Sequence, residues 1–467
     1  MSEHVKCTRN RREFLTDAFA GFGALAVAAM DARAATRNPL AAKPPELEAK
    51  AKSVIVLFMA GGPSHLETFD PKPLLNKLNG QPMPGSFGSP KRQFIKGTAR
   101  LLGTKRTFSQ HGKSGLWVSD LLPHTAECVD DLAVIRSCQA DAVVHSAAQY
   151  QFFTGRILPG FPSMGSWVLY GLGSESDSLP GYVVIPERGG TIEAGHPVYA
   201  NAFLPSVYQP TIFRPGRKPV LNLEMPAGVT AVERRRTIDL VRQLDQARMT
   251  ANDEEFEARM NTYDLAFKMQ TEAPAIFDIS QEPEHVQRMY GVGDRITDDF
   301  GRRCLLARRL VEKGVRFVVL VSGGPAISQW DAHEDIEENH LRMAAKTDKP
   351  VAGLLKDLKQ RGLLNSTLVV WGGEFGRTPE AEGGKGRDHN PTGFTTWMAG
   401  GGVKGGVAVG ETDDIGLNAV REPHHLRDIH TTVLNQLGLE QNSLSYLHQG
   451  RKERLTEVVG EVIRGIV

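Results

Sequence analysis

An unbroken apolar run, Val54 to Met59, stops abruptly at Gly61-Gly62-Pro63. A run without polar alternation predicts a strand covered on both faces, as in a parallel sheet, feeding a loop at its carboxyl end. Two later stretches share one arrangement: "CLLARRLVEKGVRFVVLVSGG" (304–324) and "VAGLLKDLKQRGLLNSTLVVWGGE" (351–374). Each has apolar residues at helical spacing, a glycine stop, a β-branched strand and a Gly-Gly pair. Successive helix–strand units in one parallel sheet place the loops after their strands along a common carboxyl edge, where open α/β sheets bind ligands. "DLLPHTAECVDDLAVIRSCQA" (120–140) predicts a helix followed by a short strand, and "HSAAQYQFFTGR" (145–156) a helix ending at Gly155. The pattern changes in between. Residues 170–225 are Gly/Pro-rich with short strand signals, and about 228–290 are charged and helix-forming, so the segment from about 170 to 300 reads as an insertion or cap on the sheet.

The N-terminus changes the picture. Arg11-Arg12 precedes Glu13-Phe14-Leu15, and an uncharged small-residue stretch, Ala18 to Met30, runs to an Ala-x-Ala site at Ala32 to Ala34. This has the form of a twin-arginine signal peptide, residues 1–34, too short to span a bilayer. Export of the folded chain follows, with the twin-arginine machinery as a partner and a periplasmic or secreted location. A linker (35–50), a main domain (51–450) and a C-terminal helix (451–467) complete the expected organisation. With 467 residues and 40% apolar content, the chain has material for a large globular core. Net charge is +1, and subtracting the leader's five basic and four acidic residues leaves 50 of each sign. That balance excludes a nucleic-acid binder, and no stable membrane span is expected. Three cysteines beyond the leader, Cys128, Cys138 and Cys304, predict no disulfide framework.

The densest chemistry is "GGEFGRTPEAEGGKGRDHNP" (372–391). Glu374 lies two residues past a buried strand and is fixed by glycines, a suitable place for a ligand to a divalent ion. Asp331 and His333, in "WDAHED" after the preceding strand, converge on the same edge, and His389 adds an imidazole. Mixed carboxylate and imidazole donors suit zinc or manganese ahead of calcium. Asp388 is a further ligand or an orienting partner. The alternative is that Glu374 merely pairs with Arg377 and that "GRDHN" is a turn. Arg377 also has a planar donor fork suited to an anionic substrate oxygen. His145 and Ser146 open a helix, where the dipole favours an anion or an ionised nucleophile. Ser146 is a candidate nucleophile or simply an N-cap. His65 is a loop histidine or a member of the site, and the histidines 424, 425 and 430 read as part of a packing helix.

Taken together, "GGPSHLETFDPKP", "HSAAQYQFFTGR", "WDAHED", "TLVVWGGEFGRTP", "GRDHNP" and "WMAGGGVKGGVAVGETD" resemble the bacterial domain-of-unknown-function 1501 family, sulfatase-like proteins with twin-arginine leaders. The resemblance runs from about Ser53 to Gly450. It implies a distant branch of the alkaline phosphatase and sulfatase superfamily: an α/β fold with a mostly parallel central sheet, helices on both faces and a cap or insertion. In that superfamily a strand-end Asp-His pair binds metal, which Glu374 and Phe375 match here. An earlier Asp and His correspond to Asp331 and His333, and a later His to His389. The departures are specific. The sulfatase nucleophile aligns with His145, which argues against formylglycine chemistry. "MAGG" lacks the carboxylate that ends strand one in the superfamily, and Phe375 stands in place of a histidine ligand, so the second metal site of that superfamily is not implied.

The resulting expectation is an exported, divalent-metal-dependent hydrolase of small-molecule or glycan phosphate or sulfate esters. Asp331, His333, Glu374, Asp388 and His389 would serve the metal, and His145, Ser146 and Arg377 the chemistry. The rival expectations are a non-catalytic exported protein of the same fold that binds glycans or a partner, and a structural metal protein.

Overall fold

The structure, a computed structural model, describes residues 38–88, 93–95, 97–214, 216, 218–221, 223–246, 254–324 and 329–467. The leader expected over 1–34 lies outside the described residues.

The apolar runs form one mixed sheet. Its main strands are β1 (Ser53–Met59), β2 (Leu132–Gln139), β3 (Tyr182–Ile185), β4 (Thr211–Ile212), β5 (Phe317–Ser322), β6 (Thr367–Gly372), β9 (Phe394–Ala399) and β10 (Val407–Val409), in the spatial order β10-β2-β9-β6-β1-β5-β3-β4, and the short strand His424–His425 also pairs in parallel with β2. A hairpin of β7 (Gly376–Glu382) and β8 (Gly386–Asn390) rises from the sheet after β6. β1 pairs in parallel with both β5 and β6, whereas β9 runs antiparallel to both β2 and β6.

Every residue of β1, β5 and β6 is buried. Pleating sends alternate side chains into two cores: Ile55, Leu57 and Met59 on one face, Val54, Val56 and Phe58 on the other. Burial of each such side chain is worth about 1.5–3 kcal/mol, so the central strands carry much of the stability. Helices cover both faces. Phe300 and Leu305 of α5 (Asp298–Glu312) and Met343 and Leu354 of α6 (Ile336–Gln360) fill the first core. Phe152 of α1 (His145–Thr154), Trp167 of α2 (Met164–Leu172) and Val433 of α7 (Leu426–Gln436) fill the second. The α5–β5 and α6–β6 units are the two repeated helix–strand patterns of the sequence.

Two expected boundaries shift. The stretch from 170 to 300 is not wholly an insertion, because β3 joins β5 and β4 joins β3, both in parallel. The added layer is the helix pair α3 (Ala231–Gln246) and α4 (Glu254–Phe277), tied together where Arg235 and Arg242 both reach Asp264. The C-terminal segment 451–467 is not a helix. Arg451–Glu453 pairs antiparallel with Tyr446–His448, and the remainder is turns and irregular chain. The β-branched residues Val458, Val459, Val462 and Ile463, with Gly460 and Gly465, explain its low helicity. Cys128, Cys138 and Cys304 are free and buried.

Candidate metal centre

Four chain segments meet at the carboxyl ends of β1, β5 and β6. β1 runs into Gly61, whose φ of +104° is open to glycine and strained for other residues, and where a Cβ would lie 2.4 Å from the Asp331 amide nitrogen. That close passage, with Trp330 N donating to Ala60 O at 2.8 Å, holds Asp331 against the end of β1. His333 follows two residues later, and Asp335 then caps α6 by accepting from Glu337 N and Glu338 N. The β7–β8 hairpin delivers His389. It passes so near that a Cβ on Gly386 would lie 1.7 Å from His333 O. His145 is the first residue of α1.

The Asp331 carboxylate is the hub. Its Oδ1 lies 2.9 Å from His333 Nε2, 3.3 Å from His145 Nε2 and 3.5 Å from His389 Nε2. His333 Nε2 faces His389 Nε2 at 2.9 Å. The four residues offer donor atoms all within 4.8 Å of one another.

The other ring nitrogen of each histidine is engaged. His145 Nδ1 lies 2.8 Å from Glu374 Oε1, and His333 Nδ1 lies 2.5 Å from Glu382 Oε2. His389 Nδ1 lies 2.7 Å from Val143 O and 2.8 Å from Gln93 Oε1. All of these are acceptors, so each neutral imidazole carries its proton on Nδ1 and turns an Nε2 lone pair inward. Two lone pairs facing each other at 2.9 Å repel unless a cation or proton sits between them. The buried His145 Nε2 also lacks a hydrogen bond of good geometry. Carboxylate-tethered histidines are the usual outer support of metal-bound imidazole. The residues therefore fit a divalent metal ion, which His145, His333, His389 and Asp331 would hold.

The electrostatics of the ion-free cluster are strained. Burial raises the Asp331 carboxyl, but Arg377 and the three histidines outweigh it and hold it far below the carboxylate range. Burial lowers His145, yet its bonds to Asp331 and Glu374 push it up to about 9. At His389 burial prevails and, with the charges of Arg377 and His145, leaves it at about 4 despite Asp331. Unlike charge states are thus imposed on neighbouring imidazoles, a pattern typical of functional sites.

Several expected roles change. Glu374 is not in the cluster. Its Oε1 accepts from Gly61 N at 3.0 Å, Gln149 Nε2 at 3.0 Å and His145 Nδ1 at 2.8 Å, because the parallel register of β1 and β6 tucks it beneath the β1 loop. It orients His145. Asp388 sits at the irregularity in register between Arg387 and His389 and accepts from the backbone amides of Gln93, Phe94 and Ile95. With His333 and Glu382 it makes a second close group, but those carboxylates are already committed to backbone amides and to His333. Arg377 is fully buried and is no free anion clamp. It donates to Gly61 O, to Gly62 O at 3.0 Å, to Arg387 O at 3.1 Å and to Asp331 at 2.5 Å. Ser146 is neither the N-cap of α1, which is Val144, nor aligned with His145, being turned by about 100° around the helix. His65 is buried with Nε2 2.8 Å from Gly416 O, and His430 Nε2 lies 2.6 Å from Phe152 O, so both are structural.

Glu374→Gln weakens divalent-ion affinity about 10–100-fold, the usual cost of losing a carboxylate behind a metal-binding histidine. Competition against a chromogenic chelator measures it, and an unchanged affinity would remove Glu374 from the support of the site.

A family profile, "Protein of unknown function (DUF1501)", matches residues 51–467. The chain belongs to that family. The match continues past residue 450, so the C-terminal segment is part of the DUF1501 domain. No curated protein matches the sequence. Solved structures similar to this DUF1501 chain include the PsFucS1 sulfatase from Pseudoalteromonas sp., at 11% identity and TM-score 0.35, covering 84% of this chain and 68% of that one. The alkaline phosphatase of the Antarctic bacterium TAB5 is 11% identical at TM-score 0.32, covering 85% of this chain and 100% of that one. The lipoteichoic acid synthase LtaP from Listeria monocytogenes is 10% identical at TM-score 0.34, covering 90% and 79%. These overlaps are loose. The α/β architecture rests on the sheet order itself, and the chemistry on the side chains at its edge.

Proposed function

We propose that this protein is a divalent-metal-dependent hydrolase of phosphate or sulfate esters. The observation that carries this reading is the convergence of three Nε2 atoms and Asp331 Oδ1, with every Nδ1 held on an acceptor. Three nitrogens and one oxygen favour zinc or a similar transition ion over calcium. A cation held there stabilises charge on the transferred group and makes bound water more acidic. The chain's own residues supply the rest. Arg377 and the Gly61 loop fix Asp331, Glu374 and Glu382 fix two imidazoles, and the Asp331 and His333 side chains remain 25% and 23% exposed, leaving an open side. Ser146 follows His145 by one residue, about 100° around the helix, and is not among the converging donors, so water is the nucleophile in this reading.

Hydrolysis of 4-nitrophenyl phosphate and 4-nitrophenyl sulfate by the metal-loaded protein tests the proposal. Activity toward at least one ester is expected, abolished in His333→Ala and retained in Ser146→Ala. Loss of turnover in Ser146→Ala with metal retained would restore the serine as nucleophile. Absence of turnover on both esters, with metal bound, would favour a binding role.

We place the protein outside the cytoplasm, delivered folded by the twin-arginine route, on the strength of Arg11-Arg12 and the small-residue stretch that follows. Among the described residues no helix is long and apolar enough to cross a membrane. Fractionation of an Arg11→Lys/Arg12→Lys variant tests the route, with cytoplasmic retention as the expected result.

A further inference from the structure

Phe94 stands at the open side of the metal centre. Its side chain is 53% exposed, yet its ring meets the rings of two cluster histidines edge to face. The centroids lie 5.0 Å from His333 at 89° and 5.8 Å from His389 at 81°. A lone exposed phenylalanine needs no explanation. This one is held in place. Asp388 Oδ2 accepts from three successive backbone amides, Gln93 N and Phe94 N at 2.8 Å and Ile95 N at 3.2 Å, while its Oδ1 accepts from His389 N at 2.8 Å. Gln93 Oε1 adds a 2.8 Å contact to His389 Nδ1. One carboxylate therefore ties the backbone under Phe94 to the residue that supplies a metal donor, and the ring itself rests edge to face on His333 and His389.

Among the described residues, apolar side chains adjoin the cluster histidines. Val144, the residue before His145, is 41% exposed. Phe375 is buried and packs against His145 and His389 with centroids at 4.9 and 4.4 Å. Arg377, whose guanidinium meets Asp331, is spent on backbone carbonyls and on that carboxylate. A substrate entering this mouth has its transferred anionic group answered at the cluster. The remainder of the molecule meets a fixed aromatic face and an aliphatic side chain.

We propose that Phe94 is the platform for the organic portion of the ester, and that this portion presents a flat, apolar face, as an aryl ring does. Asp388 is the positioning residue that holds the platform. This inference rests on the ester-hydrolase reading and narrows it to aryl-type substrates over short alkyl ones.

Calorimetric titration of the zinc-loaded full chain with phenylphosphonate and methylphosphonate tests it without relying on turnover. Both share the anionic head, and only one has a ring. Phenylphosphonate is expected to bind about tenfold more tightly, in line with one aromatic contact. In Phe94→Ala the preference collapses toward unity, with methylphosphonate affinity and zinc content unchanged, whereas Phe94→Tyr keeps it. Asp388→Ala also lowers the preference, and Asp388→Asn, which retains an acceptor oxygen, restores part of it. A preference that survives Phe94→Ala, or equal binding of the two ligands by wild type, overturns the platform and leaves the hydrolase reading standing. Binding of neither ligand by the zinc-loaded wild type overturns both.

Discussion

His389→Ala is expected to abolish binding of the proposed ion. Wild-type protein isolated from its native host without chelator should carry about one equivalent of divalent metal, and the variant roughly a tenth of that or less. Asp331→Ala gives the same result, because its Oδ1 is the point to which all three imidazoles turn. Elemental analysis reads the metal, and circular dichroism establishes that the sheet persists. Persistence is expected for His389→Ala, since Arg377 still neutralises Asp331 at 2.5 Å and donates to Gly62 O and Arg387 O. The imidazole pair that faces itself at 2.9 Å explains why the loss is large rather than graded. With one ring removed, the remaining donors no longer surround a cation, and tetrahedral ions lose affinity steeply with each missing ligand. Full metal content in His389→Ala would mean that the cluster is a hydrogen-bonded network and would remove the basis of the hydrolase reading.

Glu67→Gln costs about 3–5 kcal/mol of folding stability without touching the metal centre. Glu67 is fully buried and pairs with the equally buried Arg387, with Oε1 2.8 Å from Nη2 and 3.2 Å from Nε. Arg387 also donates to Thr378 O within the hairpin at 3.0 Å and to Leu102 O at 2.9 Å, so with Glu67 it bonds the β7–β8 hairpin to two distant segments. Removing the carboxylate charge leaves a guanidinium in the interior without its counter-ion. The pH dependence has a definite sign. Burial alone raises the Glu67 carboxyl, but Arg387 and then His340 outweigh it and hold it below its ordinary value of 4.5. A carboxyl depressed on folding contributes stability above that value and loses it as the pH falls toward the folded value. Urea denaturation of the wild type should therefore show falling stability on acidification below about pH 4.5, and Glu67→Gln should show a shallower fall. Equal slopes in the two proteins would place the charge pair outside the stability of the hairpin.

Much of the site's neighbourhood was legible because it follows from strand periodicity. Unbroken apolar runs ending in Gly-Gly mark β1, β5 and β6, and carboxyl-edge logic brings Asp331, His333 and Glu374 to one edge, with His389 as an added imidazole. His145 reads from the sequence as a helix-opening catalytic group and not as a partner of these residues. What the chain did not disclose is the distinction between a group that faces the ion and one that stands behind it. Glu374 sits behind because of the register between β1 and β6, a long-range quantity that no local pattern encodes. Asp388 had no such signal: the irregularity in register between Arg387 and His389 breaks strand alternation, so spacing does not say which way either residue turns. Glu382 had a weak signal: the turn at Gly383 and Gly384 implies a hairpin that pairs Glu382 with Gly386. Gln93 and Phe94 had none, since they belong to the irregular stretch between Gly80 and Gly115, where spacing says nothing of position. Arg377 looked like a substrate clamp because an arginine's type does not reveal that backbone carbonyls of the β1 loop consume it.

The donors come from opposite halves of the chain, His145 from one and Asp331, His333 and His389 from the other. A nascent or partly folded chain thus holds no complete chelate. An ion at the proposed site would find its full set of donors only after β1 has been sandwiched between strands that follow it by hundreds of residues. Binding only the finished state, such an ion would act as a thermodynamic lock whose strength rises with the logarithm of its free concentration. A compartment poor in transition metal would accordingly yield a protein that is folded but easier to open, and the supply of the ion would set its lifetime.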